Sequence, residues 1–187
     1  VAKFGGTSLA DAGQIMKVLE IAKADADRRI IVVSAPGKRS KEDIKVTDLL
    51  ISCAQAMLKS GKADEELGRV VARFADIQKE LGLSVHLLAE IEKDLRERLA
   101  GDRTHAALFT DSIKAAGEDY SARFVAAAFT AKGLKAEYVS PRDAVMLLSD
   151  EPGNAQVLDE AYPKLAKLRD RQGVMIFPGF FGYTKKG

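Results

Sequence analysis

The sequence is poor in the residues that build disulfides and histidine metal sites: one Cys, two His and no Trp among 187 residues. A single cysteine cannot form an internal disulfide, so Cys53 argues against a disulfide-stabilised secreted scaffold and fits a reducing compartment. His86 and His105 stand apart, with no Cys or acidic residues at metal-ligand spacing around them. This argues against a metal site built on histidine.

Long apolar runs and an excess of one charge are also missing. The longest apolar run, 124–129, is far shorter than the ~18 residues of a membrane-spanning helix. The 29 Lys and Arg nearly balance the 27 Asp and Glu, for a net charge of +2. A dedicated nucleic-acid or membrane surface would show one dominant sign. Residues 1–6 lack the basic and apolar segments of a signal peptide. We therefore expect a cytoplasmic protein without nucleic acid or membrane as a partner.

Apolar residues make up 47% of the chain, and their spacing predicts alternating strands and helices. The β-branched run Ile30–Val33 and the apolar run Val174–Phe177 are typical of strands buried on both faces of a parallel sheet. Shorter strands are predicted at the start of the chain, at 135–139 and at 145–148. Helices are predicted from a cap at Ser8 or Asp11 to about Asp27, over 111–132 with a break at Gly117, and over 162–170. The pattern predicts an α/β fold with a parallel-rich sheet covered on both faces.

Between the second strand and the 111–132 helix, the chain is expected to be a charged loop followed by a helical block. Residues 38–45 carry six charges in eight residues, which predicts an exposed, mobile loop. From 46 to 101 three apolar stripes recur at helical spacing, which predicts antiparallel helices packed on one another and on the sheet. Cys53 lies in the first stripe, so we expect it to pack in the core.

The strongest chemical signal is the string Lys3-Phe4-Gly5-Gly6-Thr7-Ser8. A strand delivers the lysine, two glycines allow a tight turn, and a helix is expected to begin. Backbone N–H groups at such a helix end bind anions, and a lysine adds a charge that can follow a phosphoryl group. The spacing matches neither the Walker A loop nor the dinucleotide fingerprint. An ordinary strand–turn–helix junction is equally compatible with it.

Glu118 is the second candidate, because it lies four residues before Ala122 on the apolar face of its helix. A carboxylate in that register is costly unless it lies at an edge or meets a cation. The alternative is an acid in the first turn of a helix, favoured by the helix dipole. Thr47, near a helix start, is by itself most simply a cap.

The string from Lys3 to Ser8 resembles the opening signature of aspartate kinases, within the amino acid kinase superfamily. Four further stretches resemble segments of that family in the same order: Val32–Ala35, Val46–Leu50, Gly117–Ala122 and Pro178–Gly182. The helical block at 46–101 resembles the insertion that aspartate kinases carry. The resemblance implies a three-layer α-β-α sandwich of the carbamate kinase type, with that helical insertion.

The resemblance also implies a reaction, in which the γ-phosphoryl group of ATP passes to the side-chain carboxylate of L-aspartate. This is the first step of lysine, threonine and methionine biosynthesis. Lys3 is implied as the catalytic residue. The other implied residues are Gly5, Gly6, Thr7 and Ser8 for phosphate, and Ser34, Thr47, Glu118 and Phe180 for aspartate. Mg²⁺ is implied as the companion of ATP, bound mainly through phosphates, so no dedicated metal ligands are expected.

In the family, the turn that 178–187 resembles leads into a substrate-binding segment with an arginine and an aspartate. The nucleotide-binding strands come after that segment. We therefore expect residues 1–187 to be the N-terminal, amino-acid-substrate-binding part of the kinase domain, without the nucleotide half or the C-terminal regulatory domains. We expect this segment alone to be inactive and the full-length protein to be a homo-oligomer. Two alternatives remain: an amino acid kinase with another acceptor, and a non-catalytic anion- or amino-acid-binding module of the same fold.

Overall fold

The computed structural model describes residues 1–151 and 153–185. Within them, parallel strands form one sheet in the order β1-β2-β4-β3. The strands are β1 Ala2–Phe4, β2 Ile30–Val33, β3 Ala136–Tyr138 and β4 Val174–Pro178. Lys3 is in register with Val32, and Val32 with Phe177. Because the strands are parallel, the segments that follow β1, β2 and β4 lie at the same end of the sheet, where the strands finish.

The helices of the described residues account for most of the remaining chain. They are α1 Ala12–Lys23, α2 Val46–Ser60, α3 Asp64–Leu81, α4 Val85–Leu99, α5 Ala106–Ala131 and α6 Tyr162–Ala166, with short 3₁₀ turns at Gly6–Leu9, Asp159–Ala161 and Lys167–Asp170. In the described part of the chain, no helix is long and apolar enough to cross a membrane.

The two faces of the sheet are both covered, as the sequence predicts. Ile31, Val33 and Ile176 point into a large core formed with α1 to α5. Met175 and Phe177, which alternate with them along β4, pack on the other face in a smaller cluster with Val139, Ala144 and Leu168. A parallel sheet with helices on both sides confirms the predicted α/β architecture, and α2, α3 and α4 confirm the helical block at 46–101.

Helix α1 is capped by Asp11, whose carboxylate accepts a hydrogen bond of 2.8 Å from the Gln14 backbone N–H. It ends at Lys23 and not near Asp27, so the predicted end is wrong. The Asp25 side chain accepts from the Asp27 N–H at 2.9 Å. A side chain that bonds to the backbone two residues on competes with the helical hydrogen bond and favours a turn.

Helix α5 is continuous through Gly117 and begins at Ala106, so the predicted break and the predicted start are wrong. A Cβ added at Gly117 would lie 2.8 Å from the Ala35 Cβ and 3.0 Å from Leu50 Cδ1. The glycine therefore lets α5 approach the turn after β2 closely. This close approach, and not a change of direction, is what the residue provides.

Two further expectations need correction. Residues 145–148 do not form a strand: Leu147 and Leu148 make only isolated bridges, and Val145 has a φ of 56°, which an extended strand excludes. The loop 38–45 is largely exposed, as predicted, but ion pairs connect it to α3. Arg39 lies 2.8 Å from Asp43 within the loop and 2.9 Å from Asp76 on α3.

Candidate active site

Backbone hydrogen bonds hold together the turns that follow β1, β2 and β4. The Ser34 N–H donates to Phe4 O at 3.1 Å, and the Gly179 N–H donates to Val33 O at 2.8 Å. The Gly37 N–H donates to Gly6 O at 2.8 Å, which joins the turn after β2 to the turn after β1. We call these three turns, residues 3–8, 34–37 and 179–180, the strand-end side of the site.

Gly6 and Gly37 are in backbone contact, and neither has room for a side chain. An added Cβ at Gly6 would lie 2.8 Å from Ala35 O, and one at Gly37 would lie 2.6 Å from the Gly6 carbonyl carbon. Gly5 differs, because it is exposed and an added Cβ would meet no atom within 4 Å. The first turn is therefore packed on one side and open on the other, where a ligand can approach its backbone.

Lys3 is exposed at the end of β1, and its Nζ lies 4.0 Å from the centre of the Phe180 ring. Phe180 follows β4 with a φ of 61°, a left-handed conformation that a residue with a side chain rarely adopts. Phe180 is 78% exposed. A strained backbone that places an apolar ring over a cation, in solvent, is typical of a functional site.

Of the two predicted caps, Ser8 and Asp11, the structure has Asp11, so the helix does not begin directly beside the glycines. Gly6–Leu9 forms a 3₁₀ turn, and α1 begins only at Ala12. Because Asp11 caps α1 with its own carboxylate, an anion at Gly5 would not bind at the end of that helix. The open turn and the hydroxyls of Thr7 (exposed) and Ser8 (half-buried) are what remain for anion binding.

A cleft of about 580 Å³ opens beside the strand-end side, between α5 and residues 148–151, 153–156 and 180–184. Three of the predicted site residues line it together: Thr47 from α2, Glu118 from α5, and Phe180. Lys3, Gly5, Gly6, Thr7, Ser8 and Ser34 do not line the cleft. Lys3 lies next to the cleft because it contacts Phe180, and the turn that begins with Ser34 lies next to it because the Ala35 backbone forms a hydrogen bond with Glu118.

Glu118 is half-buried in the wall of the cleft. Burial raises the pKa of its carboxyl group, against the lowering effect of a hydrogen bond from the Ala35 backbone and of the charge of Lys114. Thr47 is the second residue of α2, whose N-cap position is occupied by Lys45, so Thr47 is not the cap. We call Glu118, Thr47 and the helices that carry them the helix side of the site.

Sequence reasoning missed a buried ionic network at Asp119, the residue that follows Glu118 on α5. Asp119 is 2% exposed and accepts hydrogen bonds from the Tyr138 hydroxyl and, at 2.9 Å, from Arg123. Arg98 lies 3.5 Å from Asp119 and donates to Asp94 at 2.6 Å. The spacing of Asp119 and Arg123 signals an ion pair along a helix, but nothing in the sequence shows that Tyr138 and Arg98 join it.

A second residue that was missed is Arg73 on α3, a cation that is only 5% exposed. It donates to the carbonyl oxygens of Gly37 and Ala10. The sequence does contain a signal, because position 73 falls within an apolar stripe between Val70 and Ile77. A charge in that register is buried and therefore needs partners.

The site as a whole suits a small zwitterion next to a larger anion. Glu118 offers a carboxylate to a ligand cation, while Lys3 and the open turn at Gly5 offer a charge and backbone groups to an anion. Within residues 1–151 and 153–185, no group of three or more His, Cys, Asp and Glu side chains is arranged to hold a metal ion.

Comparison with known proteins gives consistent matches. The sequence model of the amino acid kinase family matches residues 1–187. Aspartokinase 3 of Bacillus subtilis (strain 168) is 50% identical over 187 residues, which cover 100% of this chain and 41% of the relative. Lysine-sensitive aspartokinase 3 of Escherichia coli (strain K12) is 30% identical over 196 residues, again 100% of this chain and 41% of the relative.

Solved structures show the same likeness in three dimensions. The crystal structure of E. coli aspartokinase III in complex with aspartate and ADP (R-state) superposes with a TM-score of 0.84 at 26% identity, over 100% of this chain and 41% of that one. The chain thus spans about two fifths of the length of the proteins that it resembles.

Proposed function

The chain belongs to the amino acid kinase family, and from that membership we propose that the full-length protein is an aspartate kinase. The reaction is transfer of the γ-phosphoryl group of ATP to the side-chain carboxylate of L-aspartate, which yields 4-phospho-L-aspartate. Residues 1–187 supply the amino-acid side of the site, with the helical insertion at 46–101, and sequence outside them supplies the nucleotide side. The observation that carries the proposal is the cleft in which Glu118, Thr47 and Phe180 converge beside Lys3.

The chemistry explains why this site consists of turns and single charges. The carboxylate of aspartate is already ionised at neutral pH and is a competent nucleophile, so no general base is needed. What remains for the protein is to align two anions and to stabilise the charge of the transferred group. Glycine turns and a lysine serve those two tasks.

Lys3 is the catalytic residue of the proposal. Its ammonium group rests on the Phe180 ring, a contact worth only about 0.5–1 kcal/mol at an exposed site. A phosphoryl group offers an oxygen anion in place of the ring, and the long lysine side chain can turn towards it. Gly5, Gly6, Thr7 and Ser8 are proposed to contact the phosphates through backbone and hydroxyl groups.

Glu118 is proposed to receive the α-ammonium group of aspartate. Its half-buried position makes the bare carboxylate costly, and a bound ammonium group lowers that cost. Thr47 and Ser34 are proposed to orient the substrate carboxylates, and Phe180 to close the pocket on the side of Lys3. Mg²⁺ is expected to accompany ATP through phosphate oxygens and water, as it does in most nucleotide sites.

The relatives support the proposed reaction, but not the role of each individual residue. The E. coli structure was solved with aspartate and ADP, which are the acceptor and the spent donor of the proposed reaction. The same proposal includes a cytoplasmic location and a homo-oligomeric full-length protein. It also includes a place at the start of lysine, threonine and methionine biosynthesis. The alternative, an amino acid kinase with another acceptor, is tested by comparing turnover over a panel of acceptors.

The test is ADP release by the full-length protein, coupled to a reporter, with ATP and a panel of acceptors. L-Aspartate should support turnover and yield an acyl phosphate that hydroxylamine traps as a hydroxamate. N-Acetyl-L-aspartate, which keeps both carboxylates but lacks the ammonium group, should support little. Turnover with another amino acid and none with aspartate would refute the acceptor. We expect a purified 1–187 segment to show no turnover.

A further inference from the structure

Arg73 is a buried charge in an otherwise apolar face of α3. It shares that face with Val70, Phe74 and Ile77, which belong to the core. Taking a guanidinium group out of water is expensive, and an apolar side chain of similar volume often packs there as well or better. Burial accordingly lowers the pKa of Arg73, against the raising effect of Asp43. Packing alone therefore does not explain an arginine at this position.

The guanidinium group contacts three separate segments of the chain. Its Nη2 donates to Gly37 O at 2.7 Å and to Ala10 O at 3.3 Å. Its Nη1 lies 3.5 Å from Asp43 Oδ2. Asp43 does not depend on Arg73 for charge balance, because Arg39 lies 2.8 Å from the same carboxylate.

Each of these three segments carries residues of the proposed site or leads directly into them. Ala10 directly follows the turn that contains Thr7 and Ser8, and Gly37 ends the turn that begins at Ser34. Asp43 lies in the loop that leads into α2 and Thr47. Helix α3 itself contributes no residue to the cleft, so Arg73 acts on the site only through these segments.

We propose that Arg73 is a positioning residue for phosphoryl transfer. It fixes the turn after β1 relative to the turn after β2 and the start of α2. The first of these is proposed to hold phosphate, and the other two are proposed to hold the acceptor. This inference rests on the proposed function. It gives the helical insertion a role at the reaction centre, although no residue of α3 lines the cleft. A fixed separation matters because the reacting groups tolerate little misplacement.

Lysine cannot replace arginine in this arrangement. Nη2 donates to both carbonyl oxygens while Nη1 of the same rigid plane faces Asp43. An ammonium group is a single point charge on a flexible stem that is one bond shorter. Arg73→Lys keeps the charge and loses the bridge between Ala10 O and Gly37 O. Arg73→Met removes the charge, keeps the volume, and leaves Asp43 paired with Arg39.

The experiment measures kcat and KM of the full-length protein carrying Arg73→Lys or Arg73→Met, together with thermal unfolding. Arg69→Met is the matched control, one turn earlier on α3, with an exposed side chain that pairs with Glu65. We expect kcat per folded molecule to fall about 10- to 100-fold in both Arg73 variants. KM for aspartate should stay within about threefold of wild type, because Arg73 lines no part of the cleft. The control should match wild type.

The outcomes separate a positioning role from a merely structural one. An Arg73→Met protein that is as stable as wild type but slower supports positioning, since lost stability cannot then explain the lost rate. If Arg73→Met fails to fold, Arg73→Lys decides. A wild-type kcat in Arg73→Lys, or a loss of rate equal to the loss of folded protein, overturns the inference. A wild-type protein that releases no ADP with aspartate refutes the proposed function instead.

Discussion

The strand-end side and the helix side of the site are built in different ways. The strand-end side consists of three short turns in backbone contact, with an open face at Gly5 and an exposed lysine. The helix side consists of side chains on long helices, and Glu118 directly precedes Asp119, the centre of a buried ionic network. One side offers backbone groups and a mobile charge, and the other offers a charge in a fixed place.

This difference matches the two tasks of the proposed reaction. A phosphoryl group moves during transfer, so the cation that follows it must be able to move, as Lys3 on its long side chain can. The ammonium group of the acceptor stays in place, so its receptor gains from rigidity. Changes on the strand-end side should therefore alter kcat, and changes on the helix side should alter KM or stability.

Asp119→Asn should have the largest effect, on stability. It removes the buried charge that Arg123 and Arg98 share, which leaves Arg123 without its anion and Arg98 with Asp94 alone. Breaking a buried ion pair in this way costs about 3–5 kcal/mol. Chemical denaturation of the full-length protein measures it. Asp76→Asn, at a 60% exposed side chain on α3, is the control and should stay within about 0.5 kcal/mol of wild type. Equal losses in both variants would contradict a special role for the network.

Lys3→Ala should have the next largest effect, on turnover. If Lys3 stabilises the transferred group, its loss should lower kcat about 10²- to 10³-fold, or about 3–4 kcal/mol, with little change in KM for aspartate. Steady-state kinetics of the full-length protein measures both. Lys17→Ala, at an exposed position on α1, should leave both constants unchanged. A wild-type kcat would remove Lys3 from the mechanism, and a raised KM alone would place it on the acceptor side.

The two sides also differ in how far the sequence predicts them. Lys3, Gly5 and Gly6 are adjacent in the chain, so a local pattern suffices to locate a strand, a tight turn and a cation. The strands Ile30–Val33 and Val174–Phe177 are equally local, because burial on both faces leaves a continuous apolar run. The order of these elements predicts the parallel sheet, and the structure confirms it.

The helix side depends on contacts between residues far apart in the chain. Gly117 was expected to break a helix because glycine is a poor helix former, yet it serves the close approach of α5 to Ala35. Two partners of Asp119, Arg98 and Tyr138, lie on α4 and β3, and no spacing in the sequence predicts their convergence. The convergence of Thr47 with Glu118 was implied by family resemblance, not by any pattern of the residues themselves.

Glu118→Gln should affect aspartate binding. The amide keeps the shape and can still accept a hydrogen bond from the Ala35 backbone, but it has no charge for an ammonium group. Loss of one charge-assisted hydrogen bond is worth about 1.5–3 kcal/mol, so KM for aspartate should rise about 10- to 100-fold while kcat changes little. Kinetics with varied aspartate at saturating ATP measures it. If KM stays at the wild-type value, Glu118 is not the receptor.

The smallest expected effect is a pH dependence of stability that Glu118 alone produces. Burial raises the pKa of its carboxyl group in the folded protein, so between the unfolded and the folded pKa the folded state binds more protons. In that window the contribution of Glu118 to stability falls as pH rises, and above it the ionised group destabilises the empty site by a constant amount. Glu118→Gln should therefore unfold at a higher temperature than wild type at pH 7. The difference should shrink as the pH falls below the raised pKa and vanish below the unfolded pKa. Saturating aspartate should narrow the difference in unfolding temperature at pH 7 by stabilising wild type more than the variant.

Glu90→Gln, at an exposed position on α4, is the control and should show neither trend. A gap that does not change with pH would mean that Glu118 carries no destabilising charge, and the helix side would lose its fixed receptor for an ammonium group.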